Sequence, residues 1–150
     1  MQRHKLATTA LAYASLSLAA AVVPASASTS PSAVSQPRDY VVVVDCFSKP
    51  QVRPSEFLIA CGDGNSGLTE VEWTHWGSKF AVGRGLNFVN DCRPYCAAGT
   101  FHSYPVNITL ARPEPWEEDP DQERYTRMRL VYTDGTPAQT PRDVTHRLWG

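Results

Sequence analysis

Between residue 40 and the end of the chain, apolar residues either alternate with polar ones or form short runs. Period-two alternation is typical of half-buried strands, and a short β-branched run is typical of a strand buried on both faces. The run YVVVVDC at 40–46 is of the second kind, and no segment keeps a helical period. The pattern predicts strand segments at 40–46, 56–61, 68–76, 80–90, 103–110 and 124–132, with the tail 142–150 closing an edge.

The turn signals between these segments indicate the fold class. Glycine, proline, asparagine and aspartate cluster at CGDGNSG (61–67) and TDGTP (133–137), and such clusters mark tight turns. Short strands separated by turns predict an all-β fold, a small antiparallel sandwich or barrel of about six or seven strands with two disulfides. The stretch ARPEPWEEDPDQE (111–123) has three prolines and six acids, which predicts an exposed loop.

Three strand segments carry finer expectations. In 80–90, large apolar residues occupy one face and small ones the other, so an indole of the preceding strand is expected to pack on the small face. In 103–110, Pro105 cannot donate to a ladder, which predicts an edge strand or one whose pairing begins later. In 68–76, a β-bulge is expected near Trp76–Gly77.

The first 27 residues have the three parts of a secretory signal peptide. Arg3, His4 and Lys5 form a basic start, residues 6–23 are uncharged and mostly apolar, and Ala25 and Ala27 form a small-x-small cleavage site. The alternative is a membrane-spanning helix, but Ala, Ser and Thr make the segment weakly hydrophobic. We predict cleavage after Ala27 and a secreted, extracellular protein.

The mature chain then divides into an N-terminal linker and one domain. The Ser- and Pro-rich segment 28–38 is predicted to be a flexible linker, and 39–150 a single β-rich domain. Losing Arg3 and Lys5 leaves 12 of the 14 basic residues against 15 acidic ones, a net charge of −3. This balance gives no reason to expect a nucleic-acid or membrane partner, and we expect a monomer.

Four cysteines in a small exported chain predict a disulfide framework. A zinc site usually brings its ligands as two close pairs, and only Cys92 and Cys96 are close here. A redox pair favours Cys-x-x-Cys at the start of a helix, whereas three residues, including Pro94, separate these two. We predict two disulfides and no metal.

Three pairings of the four cysteines are open. The short closure favours Cys92 with Cys96, which leaves Cys46 with Cys61. If 40–46 and 56–61 formed one hairpin, however, Cys46 and Cys61 would lie roughly 17 Å apart at about 3.3 Å per residue. The favoured pairing therefore requires these two segments to part, into different sheets for example.

Several motifs together resemble a known group of proteins. DCFSKPQVRPSEFLIACGDGN, WTHWG, NDCRPYCAAGTFHSYPV and RPEPW occur in that order within residues 45–149. They resemble small secreted disulfide-containing proteins of streptomycetes and related actinobacteria. The resemblance implies secretion and a single compact domain, and it carries over no catalytic residue.

The motifs that suggest chemistry are weak. His102 beside Ser103 suggests a hydrolase, but no Gly-x-Ser-x-Gly elbow supports it, and a structural histidine is expected. Residues 63–67 begin like a calcium loop, but Gly67 stands where an oxygen ligand belongs, which favours a turn. Gly83-Arg84-Gly85 lacks the third glycine of a dinucleotide site. We therefore predict no catalytic residue, no metal and no cofactor.

The tryptophans and one arginine are the candidate binding residues. Trp116 lies in a polar, proline-rich stretch, which suggests an exposed anchor, while Trp73 and Trp76 are candidates for either binding or the core. The first hypothesis is a non-catalytic binding module for an unknown protein, peptide or cell-wall carbohydrate ligand. The alternative is a protease inhibitor that presents the Cys92–Cys96 loop with Arg93 as its specificity residue.

Overall fold

The computed structural model describes residues 40–149. The predicted signal peptide (1–27), the linker (28–38) and the domain start at residue 39 lie outside the described residues. The described strands are β1 (Val43–Val44), β2 (Pro50–Gln51), β3 (Phe57–Leu58), β4 (Ser66–Trp76), β5 (Phe80–Asn90), β6 (Phe101–Trp116), β7 (Asp119–Tyr132) and β8 (Asp143–Arg147). Within residues 40–149, the single helical element is a 3-10 turn at Cys96–Ala98, and no helix is long and apolar enough to cross a membrane.

The strands form two antiparallel sheets. Strands β3 to β8 lie side by side in chain order in a six-stranded sheet, and β1 pairs with β2 in a small second sheet. The larger sheet curls into a half-barrel. The all-β, antiparallel prediction is confirmed, with eight strands instead of six or seven because the connector after β1 contributes the unpredicted pair partner β2.

The alternation predicted for the two central strands is confirmed. In β6, Val106, Ile108 and Leu110 are buried, and in β7, Met128 and Leu130 are buried. We call the side of the sheet that carries these residues the inner face. The intervening Arg127 and Arg129 lie on the outer face, as their period-two spacing requires.

Pro105 lies just before the point where β6 begins to pair with β7. Strand β6 is central, but its registered pairing with β7 begins only at Val106, opposite Tyr132. The carbonyl of Pro105 accepts from the Thr133 N–H at 3.0 Å. Because the N–H and C=O of one residue point the same way in an antiparallel strand, the donor that Pro105 lacks faces the end of β7. Strand β6 pairs with β5 from Phe101 onwards, so only its pairing with β7 starts later, and residues 101–105 have one neighbouring strand.

The prediction of an exposed loop at 111–123 is wrong. Strand β6 continues to Trp116 and β7 begins at Asp119, so this stretch forms a long hairpin. Pairing of β6 with β5 ends at Ala111, so Pro113 and Pro115 occupy a part of β6 that has one neighbour only. Proline is tolerated at such an edge because a missing N–H there breaks no ladder bond.

Strand β4 contains two register shifts, between Thr69 and Glu72 and between Trp73 and His75. A bulge was expected near Trp76–Gly77, and the second shift lies just before this position, at Trp73–His75. The first shift was not expected. Each extra residue moves the following side chains to the opposite face. This explains why Leu68, Val71 and Trp76 are all buried although simple alternation would separate them.

The small face of β5 receives an indole, as predicted. A Cβ atom at Gly83 would lie 2.9 Å from Cε3 of Trp73, so only glycine leaves room for this ring. Trp73 is half-buried and contacts Trp76 edge to face, with ring centroids 4.7 Å apart. Its Nε1–H donates to the Pro54 carbonyl at 2.8 Å. Trp73 and Trp76 are therefore core residues.

The valine run lies beside the first half of β7, parallel to it at Val42 and Arg124, and is buried on both sides, as predicted. Val41 and Val43 pack into the main core with the inner face of the sheet. Val42 and Val44 pack with Trp116 in a second cluster. The backbone is tied to β7, since the Val42 N–H donates to the Glu123 carbonyl at 3.0 Å and the Val42 carbonyl accepts from the Tyr125 N–H at 2.9 Å.

Trp116 is therefore not the exposed anchor that its polar neighbours suggested. Only 5% of it is exposed, because the end of β6 turns its ring onto Val42 and Val44 of the valine run.

The prediction that the C-terminal tail is buried at the sheet edge is confirmed for one residue and not for the other. Leu148 is buried as predicted, whereas Trp149 is 37% exposed, since β8 ends at Arg147 and only Leu148 continues the inward alternation.

Both predicted disulfides, Cys46–Cys61 and Cys92–Cys96, are formed. The first joins the chain after β1 to the chain after β3. These strands belong to different sheets, which is the separation that the pairing required. All four cysteines are used, and no thiol is free in the described chain.

Replacing Trp116 with alanine should destabilise the fold. Truncating a buried tryptophan removes its packing on Val42 and Val44 and costs about 3–5 kcal/mol. We expect this loss in the free energy of unfolding, measured by urea denaturation. Phe47→Ala is the matched control, because Phe47 is 78% exposed and surface changes stay within about 0.5 kcal/mol. Equal stability of the two variants would contradict the buried position of Trp116.

Candidate functional site

The loop of residues 91–100 connects β5 to β6 and is closed by the Cys92–Cys96 disulfide. We call it the braced loop. Its ends are fixed by the ladder, since Asn90 pairs with Phe101 in the β5–β6 register. The Asp91 N–H also donates to the Thr100 carbonyl at 3.0 Å. Both ends of the loop are therefore held directly by hydrogen-bonded residues of β5 and β6.

The buried Asn90 side chain holds the loop from beneath. Its Nδ2 donates to the Cys96 carbonyl at 2.8 Å and to Oδ1 of Asn65 at 2.9 Å. Its Oδ1 accepts from the Cys92 N–H at 3.0 Å, which supports the left-handed Cys92 backbone at φ +52°. A Cβ at Gly99 would collide with this amide, so glycine is needed where the loop closes over Asn90.

Asp91 holds the loop from its side. Oδ1 accepts from the N–H of Thr100 at 2.9 Å and of Arg93 at 3.1 Å, and Oδ2 lies 3.1 Å from Nε2 of His102. The backbone donor of Thr100, with His102 and Arg93, lowers the pKa of Asp91 to about 2. The carboxylate is thus charged over almost the whole pH range and keeps bridging both ends of the loop.

The His102–Asp91 pair serves this bracing and does not resemble a catalytic centre. The two side chains are 48% and 32% exposed, so the pair is open to water. Ser103 follows His102 directly in β6 and therefore points to the other face of the sheet. In the described chain, no hydroxyl or thiol is hydrogen-bonded to the His102 ring.

The braced loop displays its apex to solvent. Arg93, Pro94 and Tyr95 are exposed, with Tyr95 at 63%. A groove of about 390 Å³ runs beside the loop, where Arg93, His102 and Tyr104 face Pro137 and Thr140 of the β7–β8 connection. Arg93 is thus the one predicted binding residue that the structure places at a solvent-exposed, braced position.

The predicted tryptophans lie elsewhere. Trp76 is buried, and its Nε1–H donates to the Val41 carbonyl at 2.8 Å. Trp73 packs on β5, and Trp116 packs on Val42 and Val44. These three indoles are not brought together with Arg93. The tryptophan-based part of the candidate site therefore belongs to the core.

An exposed aromatic surface was missed from the sequence. Phe88 of β5 and Phe101 of β6 lie on the outer face with ring centroids 5.9 Å apart, and Phe101 is 53% exposed. Phe47 and Phe88 line one cavity of about 400 Å³. We call Phe47, Phe88 and Phe101 the aromatic surface. The sequence did contain a signal for Phe88, because large apolar residues alternate with small ones in 80–90. The small residues face the core, so the large ones lie on the outer face.

The remaining motifs have structural roles. Asp63 accepts from the Asn65 N–H at 3.1 Å, and Gly64 has φ +71°, so CGDGNSG forms the predicted turn. Gly83 and Gly85 lie within β5. Among residues 40–149, no group of three or more His, Cys, Asp or Glu residues is placed to hold a metal ion.

Comparison with known proteins gives no relative: no family model, no curated protein and no solved structure matches the chain. The resemblance to secreted actinobacterial proteins stays a prediction. The function has to be inferred from the geometry of the chain itself.

The Asp91 brace should fail only in strong acid. A folded-state pKa of about 2, below the ordinary 3.8, means that the contribution of this carboxylate is complete above pH 3.8 and is lost as the pH falls through about 2. In an NMR titration, the amide shifts of Arg93 and Thr100 should move together with a midpoint of about 2. Asp91→Asn should abolish this transition. A midpoint at the ordinary aspartate value would show that the bonds to Asp91 are absent in solution.

Proposed function

We propose that this chain is a secreted, non-catalytic binding protein that recognises a protein or peptide partner. The contact surface consists of the braced loop, with Arg93 and Tyr95 at its apex, and the adjoining aromatic surface. The observation that carries the proposal is the fixation of an exposed loop from both sides, by Asn90 beneath it and Asp91 beside it.

Rigidity is the first argument for binding. A loop that is already ordered loses little conformational entropy when a partner associates, and more of the contact energy then appears as affinity. Asn90 and Asp91 hold the backbone of a loop whose apex is exposed, which leaves an ordered surface available to a partner.

The chemistry of the exposed residues is the second argument. Tyrosine and arginine are enriched among residues that dominate binding energy, and they form the apex of the loop. Phe101 directly follows the loop, and its ring contacts Phe88. Exposed aromatic rings next to a charged apex suit a partner segment that carries apolar side chains and a carboxylate for Arg93.

Secretion fits the cysteine chemistry. Disulfides form and persist in oxidising compartments, and two are present in the described chain. Both lie at the end of the large sheet where the braced loop emerges, since Cys61 precedes β4 and Cys92 follows β5, and these two strand ends are paired through Ser66 and Val89. The binding surface would thus be held by covalent bonds suited to the extracellular space.

Protease inhibition is the second candidate. Arg93 is exposed within a five-residue disulfide-closed segment, and its N–H is fixed by Asp91 at 3.1 Å. The backbone of Arg93 is fixed in this way while its side chain is exposed, and an exposed arginine suits the acidic pocket of a trypsin-like protease. Pro94 directly after it makes cleavage at this bond unfavourable, which an inhibitor tolerates.

The test has two steps. The wild-type protein is immobilised and used to capture a partner from the producing organism's extracellular fraction. The affinity of each variant for the captured species is then measured. Tyr95→Ala and Phe101→Ala should each weaken that affinity roughly 30-fold, the equivalent of an anchor of about 2 kcal/mol. Both side chains are more than half exposed, so the thermal unfolding midpoint should hardly change.

The matched controls are Phe80→Ala and Arg84→Ala. Phe80 is 46% exposed but lies at the opposite end of β5, and Arg84 is an exposed arginine paired with Glu72. If the controls weaken capture as much as the loop variants, the braced loop is not the contact surface. If the wild type captures nothing but inhibits a trypsin-like protease, and Arg93→Ala abolishes inhibition, the second candidate replaces the first.

A further inference from the structure

Arg124 of β7 is a buried charge with two unsatisfied donors in the described part of the chain. Only 8% of the residue is exposed, and within residues 40–149 its Nε and Nη1 have no hydrogen-bond acceptor. A guanidinium does not lose its proton in a protein. Buried donors without an acceptor are costly, so Nε and Nη1 of Arg124 favour an acceptor that the described residues do not supply.

Arg124 lines a cavity of about 320 Å³ at the β6–β7 hairpin, the end of the sheet opposite the braced loop. Two further arginines, Arg127 and Arg147, line the same cavity, together with Glu114 and Glu117. No ion pair joins these arginines to these glutamates in the described part of the chain. Three positive and two negative groups leave the lining with a net charge of +1.

Two of these arginines also face each other. Arg127 of β7 is directly opposite Arg147 of β8 in the register of the sheet. Like charges directly opposite in a sheet are destabilising. Neighbouring Arg129 and Asp143 show the favourable alternative, because they form an ion pair across the same two strands. The Arg127–Arg147 pair is thus a second feature of this cavity that calls for an anion.

We propose that this cavity binds the carboxylate of a small monoanionic ligand. The arginine fork matches the two oxygens of a carboxylate, and the net charge of +1 is balanced by one negative charge, not by two. Trp149, which is 37% exposed, also lines the cavity and offers an apolar surface to the rest of the ligand. The proposal is independent of the binding function assigned to the braced loop.

Carboxylates of two sources fit this chemistry, a peptide C-terminus and a uronic acid. N-acetyl-phenylalanine and methyl β-glucuronide are the two probes, each titrated into the disulfide-intact protein and followed by two-dimensional NMR. We expect saturable shifts at the amides of Arg127, Arg147 and Trp149. The probe with the lower saturating concentration identifies the source. The matched neutral compounds, N-acetyl-phenylalanine amide and methyl β-glucoside, should bind at least about 10-fold more weakly.

Arg147→Gln tests the arginines without disturbing the core, because Arg147 is exposed. It should weaken carboxylate binding at least about 10-fold, whereas Arg84→Gln on β5 should leave the affinity unchanged. Unchanged affinity in Arg147→Gln would overturn the proposal. Absence of saturable shifts with either probe, or equal binding of the neutral compounds, would also overturn it.

Two further titrations distinguish a carboxylate site from an unselective anion site and from a site for the chain's own C-terminus. Sodium sulfate at matched ionic strength should not saturate the same amides, and equal affinity for sulfate would show an unselective anion site and contradict the proposal. A chain lengthened by Gly-Ser after Gly150 should bind the probe within about two-fold of the wild type. A gain of about 10-fold or more would assign the arginines to the chain's own terminal carboxylate and overturn the proposal.

Discussion

The structure depends on the packing of one short segment, Val41–Val44, between the large sheet and Trp116. A curled six-stranded sheet leaves its inner face open unless another element covers it. The valine run covers it with Val41 and Val43, and Trp116 then covers the two valines that point away. Because all four valines are at most 5% exposed, the run acts as a central layer although only two of its residues form a regular strand.

This arrangement separates the two ends of the half-barrel. At the hairpin end, β6 and β7 extend beyond β5 to carry Trp116 onto the valine run, which also places Arg124 in a buried position beside Val42. At the other end, the Asn90 amide ties the turn that precedes β4 to the loop that follows β5. The Cys46–Cys61 disulfide fastens that turn to the chain after β1, and the Cys92–Cys96 disulfide closes the loop itself. Trp73, Trp76 and Trp116 therefore belong to the core. The exposed side chains at the braced-loop end include Arg93, Tyr95 and Phe101.

The sequence predicted what depends on local periodicity and chain connectivity. The all-β class, both disulfides and the inward faces of the central strands follow from alternation, export and loop closure. The role of Trp116 was not predictable, because its neighbours in sequence are acids and prolines while its contacts, Val42 and Val44, lie about 70 residues away. The aromatic surface was missed for a related reason: alternation in β5 separates large from small residues, but only the packing of Trp73 on Gly83 shows that the small face is the inner one. The buried Arg124 gave no sequence signal, since it continues a stretch of charged residues.

We propose that the loop 91–100 is a rigid recognition element held by Asn90 and Asp91. The most direct measurement is ¹⁵N relaxation of the free, disulfide-intact protein, which reports backbone order on the fast timescale. If the loop is rigid, its amides should have order parameters of about 0.85, equal to those of β5 and β6. Values below about 0.6 across the loop, with rigid strands on either side, would contradict it.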